Sequence, residues 1–315
     1  MRVLSAADIK RALPMTECVD VMAEALAARA SGQVEQPLRS AFQPPGTSAF
    51  GVWMPAFRNT AEPVFGTKLL CIVPDNPSRG LDSHQGAVLL CDGVTGEQRA
   101  ILNASALTEI RTAAVSALAT KILASEKAAT LAIIGAGVQA EAHLHAIPLV
   151  REITEARVFS PRSAAAFVQR MDVPFDLKAV GSAEEAVRGA DIVVTVTTSK
   201  DPVLDRAWIA EGAHINAAGA SSPDAQEIDD ETVDAAELYV DAMQSATAEA
   251  REFQHRTPDV RGELGDVLIG KAPGRSSDTA ITLFRSLGLA TEDLYAAAFA
   301  VRRATELGLG VEAPF

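Results

Sequence analysis

Apolar residues recur at helical spacing near the N-terminus. Between residues 16 and 31 they recur with the period of a helix and stop before Gly32, a usual helix end; these positions are Val19, Met22, Ala23, Leu26 and Ala30. Short β-type runs follow, divided by clusters of Pro, Gly, Asn and Asp: SAFGVWMPAF, VFGTKLLCIV, GAVLLCDG and RAILNA. The N-terminal third is therefore predicted to form an antiparallel sheet beside an amphipathic helix.

The pattern changes near Thr108. EIRTAAVSALATKILA predicts an Ala-rich helix, and helical segments then separate most of the apolar strands ATLAIIG, ARVFS, DIVVTVTT, HINAAG and ELYVDA. Buried strands joined by helices are typical of a parallel sheet in a doubly wound α/β domain. The tail, LATEDLYAAAFAVRRATELGLG, predicts a further helix that could return to the N-terminal domain.

Two domains are expected for a chain of 315 residues, of which 48% are hydrophobic. One is an α+β domain built from both chain ends, residues 1–118 with 293–315. The other is a Rossmann-type doubly wound domain over residues 119–292. No internal repeat or low-complexity linker separates them.

Charge and cysteine content restrict the possible partners. The formal net charge is −13 and no cluster of Lys and Arg is present, so a nucleic-acid ligand is not expected. The cysteines are widely spaced and suggest neither a disulfide framework nor a metal site: Cys18, Cys71 and Cys91. No uncharged apolar run approaches about 18 residues, and charges interrupt the N-terminal segment MRVLSAADIKRALP. We expect a cytoplasmic protein without a membrane span, whose partners are small molecules or copies of itself.

A glycine-rich turn follows the strand ATLAIIG and precedes a helical segment. Its residues fit the dinucleotide-binding pattern G-x-G-x-x-G/A: Gly135, Ala136, Gly137, Val138, Gln139 and Ala140. Gly135 permits a tight turn, Gly137 allows the backbone to approach a pyrophosphate, and Ala140 is small enough for helix against strand. The anion would bind unpaired N–H groups at the positive end of the helix dipole. The strand-turn-helix context therefore predicts a nicotinamide dinucleotide site.

The end of the next strand, ARVFS, bears on which dinucleotide binds. An NAD site usually has Asp or Glu there to hold the ribose 2′-hydroxyl. This chain has Ser160, Pro161, Arg162 and Ser163 instead, and a cation with hydroxyls suits a 2′-phosphate. NADP(H) is therefore preferred. NAD(H) is the alternative, with Arg162 as a solvated residue at a helix start.

Three basic residues interrupt apolar stretches: Arg39 in QPLRSAF, Lys68 in VFGTKLLCIV and Arg111 in LTEIRTAAVSAL. A buried cation is costly unless it is paired. Together the three could hold a substrate carboxylate, with an Arg as a bidentate fork and Lys68 as a point charge or proton donor. From the pattern alone, each is more simply explained as an edge-strand residue or part of a surface ion pair.

Eight segments occur in an order that resembles the ornithine cyclodeaminase/mu-crystallin family along almost the whole chain: QPLRSAF, VWMPAF, GTKLLCIVPDN, SHQGAVLLCDGVTG, LTEIRTAAVSALATKIL, IIGAGVQA, GAHINAAGASSPDAQEID and GELGDVLIG. The resemblance implies a homodimer. In such a dimer the Rossmann domain binds the nicotinamide nucleotide. The substrate domain, made from both chain ends, pairs its sheet with that of the second subunit.

The resemblance also implies roles for individual residues. It places Arg39, Lys68 and Arg111 at the carboxylate of the substrate. It places a further set beside the cofactor or the substrate: Ser83, His84, Arg111, Thr112, Thr195, Val196, Thr197 and Ala218. Within this set, the segment that starts at Thr195 matches the strand end on the nicotinamide side.

Two departures from the family pattern bear on the substrate. Ornithine cyclodeaminases have an Asp where Ser221 stands and a Glu near Val52, and these acids suit a substrate with a second, cationic amine. Here GASSPD and GVWMP supply neither acid. The GAS sequence resembles instead the ketimine reductase branch of the family, whose cyclic substrates have one carboxylate and no free amine. Ser221 is then expected to hydrogen-bond the imine nitrogen or a water.

The expected function is hydride transfer from NADPH to the C=N carbon of Δ1-pyrroline-2-carboxylate or Δ1-piperideine-2-carboxylate, giving L-proline or L-pipecolate. This hypothesis places Arg39, Lys68 and Arg111 together around a carboxylate, in a pocket without acidic side chains. A carboxylate side chain among these cations would contradict it. The alternatives are an NAD-dependent ornithine cyclodeaminase or alanine-type dehydrogenase, and a non-catalytic, NADP-dependent ligand-binding protein.

Overall fold

The computed structural model describes residues 1–314. Phe315, the last residue of the expected α+β domain, lies outside the described residues. Within residues 1–314 the chain forms two eight-stranded sheets, and no helix there is long and apolar enough to cross a bilayer. The mixed α/β class expected from the sequence is confirmed.

The chain separates into two compact units. Unit 1 consists of Met1–Arg111 and the chain from Leu289 onward, and unit 2 of Thr112–Gly288. Helix α3, Ala104–Leu123, is continuous across the first division. Because the helix contains no breaker residue at that point, the amphipathic pattern of the sequence does not mark the boundary.

The sheet of unit 1 is mainly antiparallel. Its strands are β1 Arg2–Leu4, β2 Val34–Glu35, β3 Ser40–Phe42, β4 Phe50–Arg58, β5 Val64–Ile72, β6 His84–Asp92, β7 Gln98–Asn103 and β16 Val311–Glu312. They follow the order β16-β1-β7-β6-β5-β4-β2, with β3 paired to β4. The long strands β4 to β7 confirm the β-type runs predicted from the sequence. The parallel pairing of β1 with β7 was not predicted, because so short a strand shows no clear alternation.

Helices α1 (Ala6–Ala12), α2 (Met15–Ala30) and α10 (Ala290–Glu306) belong to unit 1. Helix α2 confirms the predicted amphipathic helix. Helix α1 was not predicted, although its capping box of Ser5 and Asp8 is a local signal for a helix start. Helix α10 packs on α2 and on strands β4, β5 and β6, so the C-terminal helix does return to the N-terminal part of the chain.

Unit 2 contains a parallel sheet. Its strands are β8 Thr130–Ile134, β9 Glu155–Phe159, β10 Asp176–Ala179, β11 Ile192–Thr195, β12 His214–Ala217, β13 Glu237–Val240, β14 Val260–Glu263 and β15 Thr282–Arg285. They follow the order β10-β9-β8-β11-β12-β15-β13-β14, and neighbouring strands are parallel. The helices between them are α4 Val138–Ala146, α5 Ala164–Arg170, α6 Ala183–Val187, α7 Asp230–Ala235, α8 Met243–Glu249 and α9 Leu264–Leu268. The doubly wound domain predicted from the sequence is confirmed.

The core of unit 2 joins this sheet to its helices. Buried apolar side chains of β8, β11, β12 and β15 pack with those of α6 and α7; they include Ile134, Val193, Ile215, Leu283, Val187 and Val233. These contacts hold the central strands against α6 and α7.

The direction of strand addition reverses at β8. From β8 the chain adds β9 and β10 on one side, and then β11 and β12 on the other. In open parallel sheets of this kind, ligands bind outside the carboxyl ends of the strands at such a switch point. The residues that follow Ile134, Thr195 and Ala217 are therefore the candidates for a ligand site in unit 2.

Candidate active site

Strand β5 and helix α10 approach each other closely at Gly66. A Cβ on Gly66 would lie 2.6 Å from Cδ1 of Leu294, so a residue without a side chain permits this approach. Lys68 stands two residues further along β5 and on the same side of the sheet, because strand side chains alternate between faces. The close contact therefore brings the start of α10 against the Lys68 side chain.

Lys68 and Arg111 share a carboxylate from this helix. The Lys68 Nζ lies 2.6 Å from Asp293 Oδ2, and the Arg111 Nε donates to Asp293 Oδ1 at 3.0 Å. The Arg111 Nη1 also donates to Glu292 Oε2 at 2.9 Å. All four side chains are at most 6% exposed. Each buried charge thus has an opposite charge beside it, as a buried ion requires.

The pKa of Lys68 is lowered from 10.5 to about 8, with burial as the largest cause. The carboxylate of Asp293 opposes this shift, whereas the charges of Arg111 and Arg39 add to it. Arg39 therefore lies near enough for its charge to act on Lys68. Of the three cations that interrupt apolar stretches of the sequence, Lys68 and Arg111 thus share Asp293, and Arg39 lies within electrostatic range of Lys68. A lysine with this pKa can exchange its proton close to neutral pH.

This geometry shows that the expectation of a pocket without acidic side chains was wrong. Asp293 lies between Lys68 and Arg111, and Glu292 lies beside it. The expectation considered only an acid that would bind a substrate amine, which a cyclic imine lacks, and not an acid that pairs with the cations themselves. Three cations and two carboxylates leave one net positive charge, however, so the cluster still favours a single bound anion.

The two acids were missed because they resemble ordinary helix-start residues. Glu292 and Asp293 occupy the first turn of α10, where carboxylates are favoured by the helix dipole. The available signal was the segment LATEDLY, which places two adjacent acids at the start of a helix rich in Ala. Their partners become clear only once α10 is packed on β5.

His84 lies near this cluster at the start of β6. Its Nδ1 is 3.0 Å from the Ser83 Oγ. The side chain stays exposed, yet packing around the ring, and then the charges on Lys68 and Arg111, lower the pKa of His84. The ring is therefore neutral at pH 7 and does not add to the charge of the cluster.

Apolar side chains cover the sheet around Lys68. Met54 is its register partner on β4 and Val88 its partner on β6. Val52, near which ornithine cyclodeaminases are expected to have a Glu, is 5% exposed. The structure thus places no acid at this part of β4, as expected from the sequence.

In unit 2, the glycine-rich turn is tight at Gly135 and open at Gly137. Gly135 has φ of 123°, and a Cβ there would lie 2.6 Å from the Val196 carbonyl oxygen. Gly137 is the N-cap of α4, and a Cβ there would meet no atom within 4 Å. Among the described residues, no side chain caps this helix end. An uncapped helix start next to an open glycine fits an anion held by backbone N–H groups.

The segment after β9 contains the residues predicted for the adenosine ribose. The Ser160 and Ser163 hydroxyls are 2.9 Å apart, and Arg162 is exposed. Neither Asp nor Glu occurs between Ser160 and Ser163. The arrangement offers donors rather than a carboxylate at the end of β9.

The ends of β11 and β12 are joined by a buried acid that the sequence did not reveal. Glu227, which is 2% exposed, accepts hydrogen bonds from Thr195, Thr197, Gly219 and Ala220. In the sequence it appears as one of several acids in AQEIDDE, with nothing to separate it from the exposed ones.

Ser221 follows this segment in unit 2 and is exposed. The carbonyl of the preceding Ala220 accepts from Arg285 Nη1 at 2.6 Å, and the Arg285 Nε lies 2.6 Å from Glu252 Oε1 in a buried ion pair. Both the N–H and the carbonyl of Ala220 are therefore hydrogen-bonded to buried side chains. Ser221 is the next residue along the chain.

The family model described as the ornithine cyclodeaminase/mu-crystallin family matches residues 1–307. The chain belongs to this family.

The chain is similar to relatives with assigned activities and to solved structures. The ketimine reductase mu-crystallin of Mus musculus is 39% identical over 266 residues, which cover 84% of each chain. The structure of Thermococcus litoralis Δ1-pyrroline-2-carboxylate reductase in complex with NADH and L-proline has a TM-score of 0.95 at 34% identity, covering 99% of this chain and 100% of that one. An archaeal alanine dehydrogenase dimer with bound NAD has a TM-score of 0.91 at 29% identity, covering 100% and 99%.

In this ornithine cyclodeaminase/mu-crystallin family chain, the predicted site residues fall into two groups. Those in unit 1 are Arg39, Lys68, Ser83, His84 and Arg111. Those in unit 2 are Thr112, Gly135, Ala136, Gly137, Val138, Gln139, Ser160, Arg162, Ser163, Thr195, Val196, Thr197, Ala218 and Ser221. Unit 1 therefore holds the charged cluster, and unit 2 holds the glycine-rich turn and the strand ends.

Proposed function

We propose that this protein reduces cyclic ketimine carboxylates with NAD(P)H, converting Δ1-pyrroline-2-carboxylate or Δ1-piperideine-2-carboxylate to L-proline or L-pipecolate. The similarity to a Δ1-pyrroline-2-carboxylate reductase and to a ketimine reductase supports this reaction. So does the apolar surface around Lys68, which suits a ring without a free amine.

The observation that carries the proposal is the buried cluster of Lys68, Arg111, Asp293 and Glu292, with the half-buried Arg39 in electrostatic range of Lys68. Its single net positive charge matches a substrate with one carboxylate. It also contains one group, Lys68, whose pKa of about 8 allows proton transfer near neutral pH. Imine reduction requires protein groups that bind the substrate carboxylate and donate a proton.

Each cation has a role in this reaction. Arg39 and Arg111 bind the carboxylate, and Arg111 also donates through Nε and Nη1 to Asp293 and Glu292. Lys68 orients the substrate and donates a proton to the imine nitrogen. Asp293 keeps Lys68 in place and favours its protonated form. Ser221 is the candidate donor to the ring nitrogen or to a water.

The nicotinamide cofactor supplies the hydride that becomes bonded to the C=N carbon. The residues proposed to hold it are the turn from Gly135 to Gln139, the strand ends at Thr195, Val196, Thr197 and Ala218, and Thr112, Ser83, His84 and Arg111. Hydride transfer requires a reacting distance of about 3 to 3.5 Å. One hydride and one proton together convert the C=N bond to an amine.

We further propose that NADPH is preferred to NADH. Ser160, Arg162 and Ser163 provide a cation and two hydroxyls at the end of β9, and this set suits a 2′-phosphate. NADH remains the alternative donor, since the Thermococcus litoralis structure contains NADH. The ratio of kcat/KM for the two cofactors measures the preference, and Arg162→Ser is expected to lower the value for NADPH alone.

A homodimer is proposed as the working assembly. The sheet of unit 1 exposes apolar side chains on its outer face, where Trp53 is 48%, Phe65 43% and Leu69 56% exposed. Trp53 and Leu69 are direct register partners on β4 and β5. Contiguous exposed apolar surface of this kind marks an interface, and a second copy of the chain is the proposed occupant.

The decisive experiment is a substrate panel with purified protein. Δ1-pyrroline-2-carboxylate and Δ1-piperideine-2-carboxylate are offered with NADPH or NADH, and ornithine and alanine with NAD. Reduction of the cyclic imines at the highest kcat/KM is expected. Faster turnover of ornithine or alanine would instead establish a cyclodeaminase or an alanine-type dehydrogenase. Cofactor binding without oxidation across the panel would establish a non-catalytic binding protein.

A further inference from the structure

Glu227 is a heavily hydrogen-bonded carboxylate at the carboxyl ends of the unit 2 strands. Its Oε1 accepts from the Thr197 N at 2.7 Å and the Thr197 Oγ1 at 2.8 Å. Its Oε2 accepts from the Thr195 Oγ1 at 3.1 Å, the Gly219 N at 2.7 Å and the Ala220 N at 3.1 Å. One buried side chain therefore connects the end of β11 to the end of β12.

The backbone around Glu227 is packed without spare space. A Cβ on Gly219 would lie 2.5 Å from Glu227 Oε1 and equally close to the Thr197 N and O. The glycine-rich turn is packed in the same way, because a Cβ on Gly135 would lie 2.6 Å from the Val196 carbonyl oxygen. The ends of β8, β11 and β12 thus form one contiguous packed row, with Glu227 at its centre.

We infer that Glu227 is a positioning residue that holds Thr195, Thr197 and the backbone at Gly219 in the arrangement that receives the nicotinamide end of the cofactor. This inference rests on the proposed use of a nicotinamide dinucleotide, although not on the imine substrate. A carboxylate with five donors fixes both strand ends at once. A neutral amide in its place presents two N–H groups that cannot accept from the same donors.

The test compares ligands that contain or lack the nicotinamide end. Binding of NADPH and of 2′-phospho-ADP-ribose, which lacks nicotinamide, is measured by calorimetry for the wild-type protein and for Glu227→Gln. Loss of strand-end positioning is expected to weaken NADPH binding by about tenfold or more, and binding of the fragment by less than about threefold. Equal weakening of both ligands, or an unchanged Kd for NADPH, would overturn the inference.

Asp191→Asn is the matched control. The Asp191 carboxylate also joins neighbouring strands, accepting from the Ala129 and Thr130 N–H groups at 2.9 Å, but it does so at the amino ends of β8 and β11. This substitution is expected to lower the melting temperature without changing the ratio of the two Kd values. If Glu227 had only a structural role, Glu227→Gln would likewise leave the ratio of the Kd values for NADPH and 2′-phospho-ADP-ribose unchanged.

A second measurement uses the wild-type protein and does not depend on the folding of any variant. Hydrogen exchange is followed for peptides that contain residues 195–199 and 218–222, with NADPH or 2′-phospho-ADP-ribose bound. Added protection with NADPH alone is expected, and equal protection by both ligands would contradict the inference. If the wild-type protein bound neither these ligands nor NADH and ADP-ribose, the proposed cofactor use itself would fail, which is a different outcome from binding without this contrast. If it bound only NADH and ADP-ribose, the same contrast would be measured with that pair.

Discussion

The Lys68 Nζ and the Asp293 Oδ2 lie 2.6 Å apart, and both side chains are at most 2% exposed. Lys68 belongs to a central strand of unit 1, whereas Asp293 belongs to the first turn of the C-terminal helix. Burial acts to remove the lysine's proton and the carboxylate acts to retain it. The balance sets the pH range in which Lys68 can serve as an acid.

Replacing Asp293 by Asn removes the group that favours protonated Lys68. The pKa of Lys68 is then expected to fall below about 8, so that less of it is charged at pH 7.5. The kcat for imine reduction should drop by about 10², and the alkaline limit of the pH profile should move to lower pH. Glu306→Gln, an exposed position on the same helix, should leave both quantities unchanged. A normal profile for Asp293→Asn would show that Asp293 does not tune Lys68.

The wild-type enzyme should lose activity as the pH rises through about 8. Lys68 is charged below its pKa and neutral above it, so the proton donor disappears on the alkaline side. Lys68→Arg keeps the charge but cannot donate at these pH values, and its kcat should fall by about 10² to 10⁴. Lys10→Arg, at an exposed ion pair with Glu109, is the control. A flat wild-type profile to pH 9.5 would exclude Lys68 as the acid.

Two glycine substitutions should have opposite consequences. Gly219→Ala places a Cβ 2.5 Å from three atoms of Glu227 and Thr197, and is expected to cost about 1 to 3 kcal/mol of stability. Gly137→Ala meets no atom within 4 Å, so the melting temperature should stay near the wild-type value while cofactor binding weakens. Thermal melts and calorimetric titration distinguish the two. Undiminished cofactor affinity for Gly137→Ala would argue against a pyrophosphate at the turn.

His143 should make the protein sensitive to acid. Its Nδ1–H donates to the Gln139 carbonyl at 2.7 Å and its Nε2 accepts from the Ser116 hydroxyl at 2.9 Å, so the buried ring is neutral. Burial lowers the pKa of His143 from 6.5 to about 4.

The unfolded chain binds this proton more readily than the folded protein. The contribution of His143 to the free energy of unfolding is therefore fully present above pH 6.5 and is lost as the pH falls towards 4. The shift corresponds to about 3 kcal/mol, and burial of His214, whose pKa is lowered to about 3, acts in the same direction. Denaturant unfolding at several pH values measures the slope. His143→Gln should reduce the slope, whereas His145→Gln, at an exposed position on the same helix, should not.

The proposed dimer should depend on the outer face of β5. Leu69→Lys puts a charge into the centre of the exposed apolar surface next to Trp53, and is expected to convert the dimer to a monomer in sedimentation experiments. Val94→Lys, at a turn position that is 78% exposed, should leave the assembly unchanged. A monomeric wild-type protein would contradict the proposal directly.

Local sequence patterns were sufficient for much of the fold. Short β-type runs bounded by clusters of Pro, Gly, Asn and Asp identified β4 to β7, helical spacing identified α2, and the strand-turn-helix order around Gly135 identified the nucleotide turn. These features depend on near neighbours in the chain. The sequence also singled out Arg39, Lys68 and Arg111, because charges in apolar stretches demand partners.

Only the tertiary structure identified those partners. Asp293 meets Lys68 because Gly66 allows α10 to lie against β5, and Glu227 meets Thr195 and Gly219 because two parallel strands end side by side. An acid's local sequence looks the same whether it faces water or a buried cation. Whether an acid is exposed or buried against a cation depends on packing between segments far apart in the chain. Hydrophobic periodicity and turn chemistry do not encode that packing.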